Sequence, residues 1–530
     1  MGEADDYYNN GGENNQQKGY PMQQQQYNGN GGPAPPQQQP MYGQMPPPPS
    51  YQPSYQQSYQ QDSGKPTFDQ AFKVEKPKFN DLWAAILFIL VCAGFVAVSA
   101  ISISAYSSNK SFNGGGIYGG SNEFGLSTNT IVLFAFVLGM ALILGYGYIC
   151  LARMFTKQFI WITGILNIIF AFGTAIYMLI KHYYSGGIVF LIFAFFAAFC
   201  FYTWIPRIPF SVLMLQTVID VSKRYGHVYL TSFIGGLIAA AFGAWFSVTL
   251  VAVYVKWEPG SNPACSTSGS CSQATVIGLL VFITFAGYWI SEFLKNAIHT
   301  TISGVYASWY FAPKNPAKGA TRGAARRALT YSFGSIAFGS LLVALINLLR
   351  QAISVAQQQS GQSGNLGVDC AFCILQCIMG LVEWAVEFIN RYAFSYIALY
   401  GKGYIESAKA TWKLIKDRGI DALVNECLIG PVLTMGATFV AYACALLAYL
   451  YLRYTHPAYN QDGGFTPVVV AFAFLIGLQI AQCFTVPLSS GIDTLFVAAA
   501  WDPEVLMREH GDLYQRMIQV YPHVQQAIHA

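Results

Sequence analysis

From Leu82 to Ala105 the chain runs for 24 residues without one charged side chain, and nine further long, predominantly apolar runs follow. About 20 apolar residues in a helix cross a hydrocarbon core of about 30 Å. No water is available there, so every backbone N–H and C=O must be paired within the segment. The run predicts a membrane-spanning helix, and its repetition predicts an all-α polytopic membrane helical bundle of about ten transmembrane helices. The further candidates are Thr130–Ala152, Phe159–Ile180, Ile188–Ile205, Val228–Val255, Thr275–Ser308, Ala328–Leu349, Cys370–Leu399, Leu428–Leu452 and Pro467–Ala500. Spans 6, 8 and 10 exceed a perpendicular crossing, which implies tilt, a break or an interfacial portion.

Composition removes the main alternatives. Of 530 residues, 54% are hydrophobic and 10% charged, against about 25% charged in an ordinary soluble domain. A net charge of +4 over such a length leaves no electrostatic footprint for nucleic acid. The lipid bilayer is the partner this composition demands. No His-Glu-x-x-His, Gly-x-Ser-x-Gly or Gly-Lys-Ser/Thr phosphate loop occurs. Without those signatures of hydrolytic and nucleotide chemistry, neither an enzyme nor a cofactor is expected, and solute movement would be facilitated or ion-coupled.

Residues 1–78 differ from the rest, with runs such as Gln23–Gln26 and Pro46–Pro49. They bury too little apolar surface to offset the entropy of ordering and read as a disordered tail. No apolar run follows a basic start, so no cleavable signal peptide is expected. The tail is either a partner-binding arm, with partners unknown, or a solvated segment without a specific role. The transmembrane domain then covers residues 79–505, and 506–530 form a short C-terminal tail.

Lysine and arginine set the orientation. They gather before span 1 and in the loops after spans 2, 4, 6 and 8, including Lys314, Lys318, Arg322, Arg326 and Arg327, then Lys402, Lys409, Lys413, Lys416 and Arg418. The other loops, 106–129, 181–187, 256–274, 350–369 and 453–466, are poor in both. An even span count then predicts a multi-pass membrane protein with both termini cytoplasmic. The glycosylation triplet at Asn109 and the cysteines Cys265 and Cys271 fall in outside loops, where a glycan and a disulfide are expected. Cys370, Cys373 and Cys377 share a helix face but lack a fourth ligand, so no metal is expected. Residues 208–225 read as an amphipathic helix on the cytoplasmic face, with Val212, Leu215, Val218 and Ile219 as its apolar side. Trp309, Tyr310 and Tyr331 read as interface-belt residues.

An ionisable side chain within a span costs at least about 2.5–3.5 kcal/mol on insertion scales, so each one needs a reason. On span 6, Tyr288, Glu292, Asn296, His299, Ser303 and Tyr306 recur every three or four residues as one helical stripe. Lys295 lies three residues after Glu292 and can neutralise it. The stripe fits a pathway wall in which Glu292 or His299 exchanges a proton. It equally fits an internal ion pair plus a histidine bonded between helices. On span 8, Glu383, Glu387 and Asn390 share a face beside Trp384 and Arg391. Two carboxylates one turn apart repel in low dielectric. Arg391 is expected to pair with Glu387, leaving Glu383 beside Trp384 as a cation site. Alternatively Glu383 pairs with Lys295 or faces the aqueous boundary. On span 10, Gln479, Gln482, Ser489 and Asp493 share a face interrupted by Pro487, which fits a pathway-lining helix or ordinary hydrogen bonding between helices.

Several ordered motifs carry a resemblance. They are Glu-Phe-Leu-Lys-Asn-Ala-Ile-His at 292–299, Gly-Val-Tyr-Ala-Ser-Trp-Tyr at 304–310 and Arg-Ala-Leu-Thr-Tyr at 327–331. Gly-Ser-Ile-Ala-Phe-Gly at 334–339, Asn390-Arg391, Ile-Ala-Leu-Tyr-Gly at 397–401, Ser407-Ala408 and Asp-Thr-Leu-Phe at 493–496 complete the set. Over roughly residues 200–510 the chain resembles the choline transporter-like family, most closely its fungal, pH-nine-sensitive branch. The resemblance implies a ten-span solute carrier whose animal members move choline and related amines, in some cases with proton exchange. The leading expectation is a carrier for a small organic cation or other small solute. Glu383, Trp384, Glu387, Asn390, Tyr288 and Tyr306 would line its pathway, and Glu292, Lys295, His299 and Asp493 would serve coupling or gating. The alternative is a non-transporting sensor or scaffold that recruits partners through the tail.

Overall fold

A computed structural model describes residues 78–108, 128–257, 272–314, 317–361, 366–418, 427, 429–455 and 466–522. The tail up to residue 77, Asn109, Cys265 and Cys271 lie outside them. The described chain is helical throughout. Helices α1 (Leu82–Ser108), α2 (Thr128–Met154), α3 (Thr156–Ile180) and α4 (Tyr184–Trp204) come first, and a 3-10 turn leads into the short α5 (Ile208–Arg224). Then follow α6 (His227–Trp257), α7 (Gln273–Phe311), the short α8 (Ala320–Leu329), α9 (Phe333–Gly361) and α10 (Leu366–Tyr400). The series closes with the short α11 (Tyr404–Arg418), α12 (Ile429–Thr455), α13 (Thr466–Trp501) and the short α14 (Pro503–Glu509) and α15 (Gly511–Val520). Ten of these helices are long and apolar enough to cross a membrane, so this is a multi-pass membrane protein.

The span boundaries follow where charge and glycine allow them. Span 7 starts at Phe333 rather than Ala328, because Arg326 and Arg327 belong to α8 and Thr330 breaks the helix after it. Its other end runs on past Leu349 to Gly361, which turns Arg350 from a loop residue into a helical one. Gly401 ends α10 at φ 64°, with its N–H bonded to the Ile397 carbonyl at 2.8 Å. Only glycine adopts that left-handed conformation cheaply. Pro487 does not divide α13, which runs through it.

The short helices gather at the end of the bundle that carries the lysine- and arginine-rich connections, here the basic end. There α5 is covered by protein rather than by lipid headgroups. Val212, Leu215, Val218 and Ile219 are buried, and so are Phe210, Leu213 and Met214, in one cluster with the ends of α7 and α13. Phe210 lies parallel to Phe496 and also packs on Tyr521. The expected C-terminal tail is likewise folded, with Leu506, Tyr514 and Met517 in the same cluster. His510 packs on Trp309 at 4.4 Å and on Tyr310 at 5.3 Å. These two aromatics serve the protein core rather than a lipid belt, because α14 and α15 cover them.

A mid-bundle cavity and its charged side chains

Helices α6, α7, α9, α10 and α13 surround a cavity of about 570 Å³. It lies beside the middle of α7 and of α10, where Glu292, Lys295 and Glu387 fall. Lys295 Nζ stands 3.1 Å from Glu387 Oε1 and 3.4 Å from Glu292 Oε1, so one ammonium bridges two spans. Its side chain is 60% exposed and that of Glu387 43%. Both line the cavity, and that exposure identifies them as wall groups rather than sealed glue.

Glu383 is not the free carboxylate expected beside Trp384. It pairs with Arg350 of α9 and stands outside the cavity lining. The continuation of α9 beyond Leu349 brings Arg350 opposite it. Arg391 likewise does not pair with Glu387, whose carboxylate is taken by Lys295. Its Nε lies 3.1 Å from Oδ2 of Asp493 on α13, a side chain only 5% exposed, and its guanidinium also donates to the Tyr392 hydroxyl. A carboxylate so buried needs a cation more than the half-exposed Glu387 does.

His299 sits between three helices. Nε2 faces the Arg391 carbonyl at 3.0 Å, which can only accept, so Nε2 carries the proton. Nδ1 then accepts from Ser490 Oγ at 2.9 Å. Asn390 donates to the Gly339 carbonyl at 3.0 Å and accepts from the Tyr404 hydroxyl. Trp384 is 65% exposed and stacks on Phe388 at 5.6 Å, presenting ring surface to the cavity beside Glu387.

Glu292, Lys295, His299, Trp384, Glu387 and Asn390 thus meet in one place, with Arg391 beside them and Asp493 behind Arg391. Tyr288 and Tyr306 do not join them. The stripe from one to the other runs about 27 Å along the helix, longer than the cavity. Tyr288 packs near Trp289 and Phe293, whereas Tyr306 donates to the Val218 carbonyl on α5 at 3.3 Å. Towards the basic end Ile302, Val305, Tyr306, Tyr392, Leu488 and Ile492 are buried and close the cavity floor. Gln479, Gln482 and Ser489 line the wall from α13, as their shared face predicts.

The lining from α6 was not singled out in the sequence. Ser232, Gly236 and Ala239 form it, and a Cβ on Gly236 would lie 2.0 Å from Cys483 Sγ. Small residues recurring every three or four positions in a span are a signal of close helix approach, and this strip carries it. No group of His, Cys, Asp and Glu among the described residues could hold a metal ion.

The family described as plasma-membrane choline transporter matches residues 188–504, which span α4 to α13 and so every wall of the cavity. Protein PNS1 of Gibberella zeae is 63% identical over 465 residues, 88% of this chain and 86% of that protein. Protein PNS1 of Candida albicans is 48% identical over 477 residues, 88% and 91%. Protein PNS1 of Saccharomyces cerevisiae is 42% identical over 475 residues, 87% and 88%. A match of this breadth, on a ten-span bundle whose cavity is lined by residues of the 292–299 motif and by Asn390-Arg391, establishes that the chain belongs to the choline transporter-like family, in its fungal branch.

Proposed function

We propose that the protein is a carrier that moves a small organic cation of choline-like chemistry across the plasma membrane by alternating access. The observation that carries this reading is the charge balance of the cavity. Three carboxylates, Glu292, Glu387 and Asp493, meet two cations, Lys295 and Arg391. One negative charge is left over beside an exposed tryptophan face, the combination that attracts an ammonium group. The volume falls within the range of about 300–1,000 Å³ common for small-molecule sites.

In this reading the solute cation takes Glu387 and the Trp384 ring while Lys295 withdraws towards Glu292. Coupling to a proton falls to Glu292 and Lys295, which face the cavity. His299 and Asp493 act as gate residues, since their bonds tie α7, α10 and α13 together. The floor around Tyr306 and Tyr392 must part for release. Pro487 supports such movement, because it cannot donate to the carbonyl of Cys483 in the cavity wall. The lysine and arginine distribution supports a cytoplasmic basic end with both termini inside.

The test is uptake of labelled choline and related amines into vesicles holding the purified full chain, across pH. Saturable uptake is expected. Glu387→Gln should weaken it about ten- to hundredfold, the value of a charged contact of about 1.5–3 kcal/mol. Deleting residues 1–77 should leave uptake intact, an outcome a tail-based scaffold does not share. A wild-type protein that moves none of these amines at any pH overturns the reading.

A further inference from the structure

Helix α11 carries a surface that the cavity does not explain. One side of it is buried, with Tyr404, Ser407, Thr411 and Leu414 against the bundle. On the other side Ile405, Lys409, Trp412 and Lys416 follow at intervals of four, three and four, which is one exposed stripe. Ile405 is 52% exposed and Trp412 58%, and Lys402 and Lys413 flank the stripe. Glu406 is held by Lys402 at 3.0 Å. Lys409, Lys413 and Lys416 have no ion-pair partner among the described residues.

The position of this face is tightly set. Only residues 401–403 separate α11 from the end of span 8, a reach of about 10 Å. The Tyr404 N–H donates to Asp81 Oδ2 at 2.8 Å, and Asn80 Nδ2 donates to the Gly401 carbonyl at 2.9 Å. Asn80 and Asp81 immediately precede span 1, so α11 is pinned where two spans leave the bilayer. A helix wholly in water gains nothing from an exposed tryptophan and isoleucine set among lysines. A helix at the headgroup level does, with the ring at the interface and the ammonium groups on phosphates.

We propose that the outer face of α11 is a binding site for anionic phospholipid headgroups, with Lys409, Lys413 and Lys416 contacting the phosphates and Trp412 and Ile405 seated at the acyl boundary. The proposal is independent of the carrier reading. Tyr404, at the start of the same helix, contacts Asn390 in the cavity wall, so the site lies one contact from the cavity.

The test uses the purified full chain in neutral detergent, with thermal unfolding followed as phosphatidylserine or phosphatidylcholine is titrated into the micelles. Phosphatidylserine is expected to raise the midpoint and phosphatidylcholine to leave it unchanged. The effect should weaken as salt rises and screens the charges. Replacing Lys409, Lys413 and Lys416 together by Gln should weaken the apparent affinity about a hundredfold, about fivefold for each lysine. The triple Arg replacement should retain it. Trp412→Ala, which keeps every charge, should also weaken binding and serves where the Gln variant does not fold. An equal shift with phosphatidylcholine, the same shift with inorganic phosphate alone, or unchanged affinity in both the Gln and Trp412→Ala variants overturns the proposal.

Discussion

The hairpin of α3 and α4 and the five helices around the cavity meet the same solvent in opposite ways. Along α4 only Gly187 and Ala194 are buried, and Phe193, Phe196 and Phe199 are more than 60% exposed. No Asp, Glu, Lys, Arg or His lies on that helix. In α7, by contrast, 18 residues are buried, and Glu292, Lys295, Asn296 and His299 stand at its centre. The difference teaches that polar content in a span tracks what surrounds it. A side chain facing hydrocarbon has no partner, so a charge there costs at least about 2.5–3.5 kcal/mol. A side chain facing other helices or a cavity finds its counter-ion, as Lys295 finds Glu387.

Removing the cation from a buried carboxylate breaks this contrast most severely. Arg391→Ala leaves Asp493 enclosed without its cation, a loss of about 3–5 kcal/mol that should appear as a lower thermal unfolding midpoint in detergent. Adding Asp493→Asn should recover most of it; a double variant as unstable as the single one would show that Arg391 acts through something other than the pair. A smaller effect comes from two glycines, one in each region. A Cβ on Gly334 would stand 2.4 Å from the carbonyl oxygens of Asn80 and Asp81, backbone that cannot move aside. Gly334→Ala should cost about 1–3 kcal/mol. Gly173 in α3 has nothing within 4 Å of the same position, so Gly173→Ala should be neutral or gain about 0.5–1 kcal/mol from helix propensity. Equal midpoints for the two variants would erase the distinction between the regions.

The smallest effect concerns His510, in the cap at the basic end. Burial lowers its pKa below the ordinary value, although the Tyr310 carbonyl that it bonds pulls the other way. The fold therefore favours the neutral ring, while the unfolded chain takes up a proton below about pH 6.5. Stability from this site is present above that pH and is lost as the pH falls towards the folded pKa. Between pH 7.5 and 5.5 the wild-type midpoint should fall further than that of His510→Gln. Parallel pH profiles would remove His510 from the account.

Much of the architecture was legible in the chain because the bilayer reads one helix at a time. Leu82–Ala105 and its nine counterparts appear as helices within a few residues, apart from the start of α9 and its extension through Arg350. That extension matters out of proportion to its length. With Leu349 taken as the end of span 7, Arg350 lay in a loop, and the only counter-ion in view for Glu383 was Lys295, which the structure gives to Glu292 and Glu387 instead. The helical face bearing Glu383, Glu387 and Asn390 was readable from spacing alone, yet it did not say which of its carboxylates would meet the cavity. The strip of Ser232, Gly236 and Ala239 escaped notice because small residues carry no charge to account for.

The amino-acid order by itself determined the number of crossings, the polar stripes and the family, because each depends on local periodicity, length or ordered motifs. The tertiary structure alone decided the pairings. Lys295 reaches Glu387 across 92 positions, and Arg391 reaches Asp493 on another span. A helical period assigns a side chain to a face, but only the packing of one helix on another decides what that face meets.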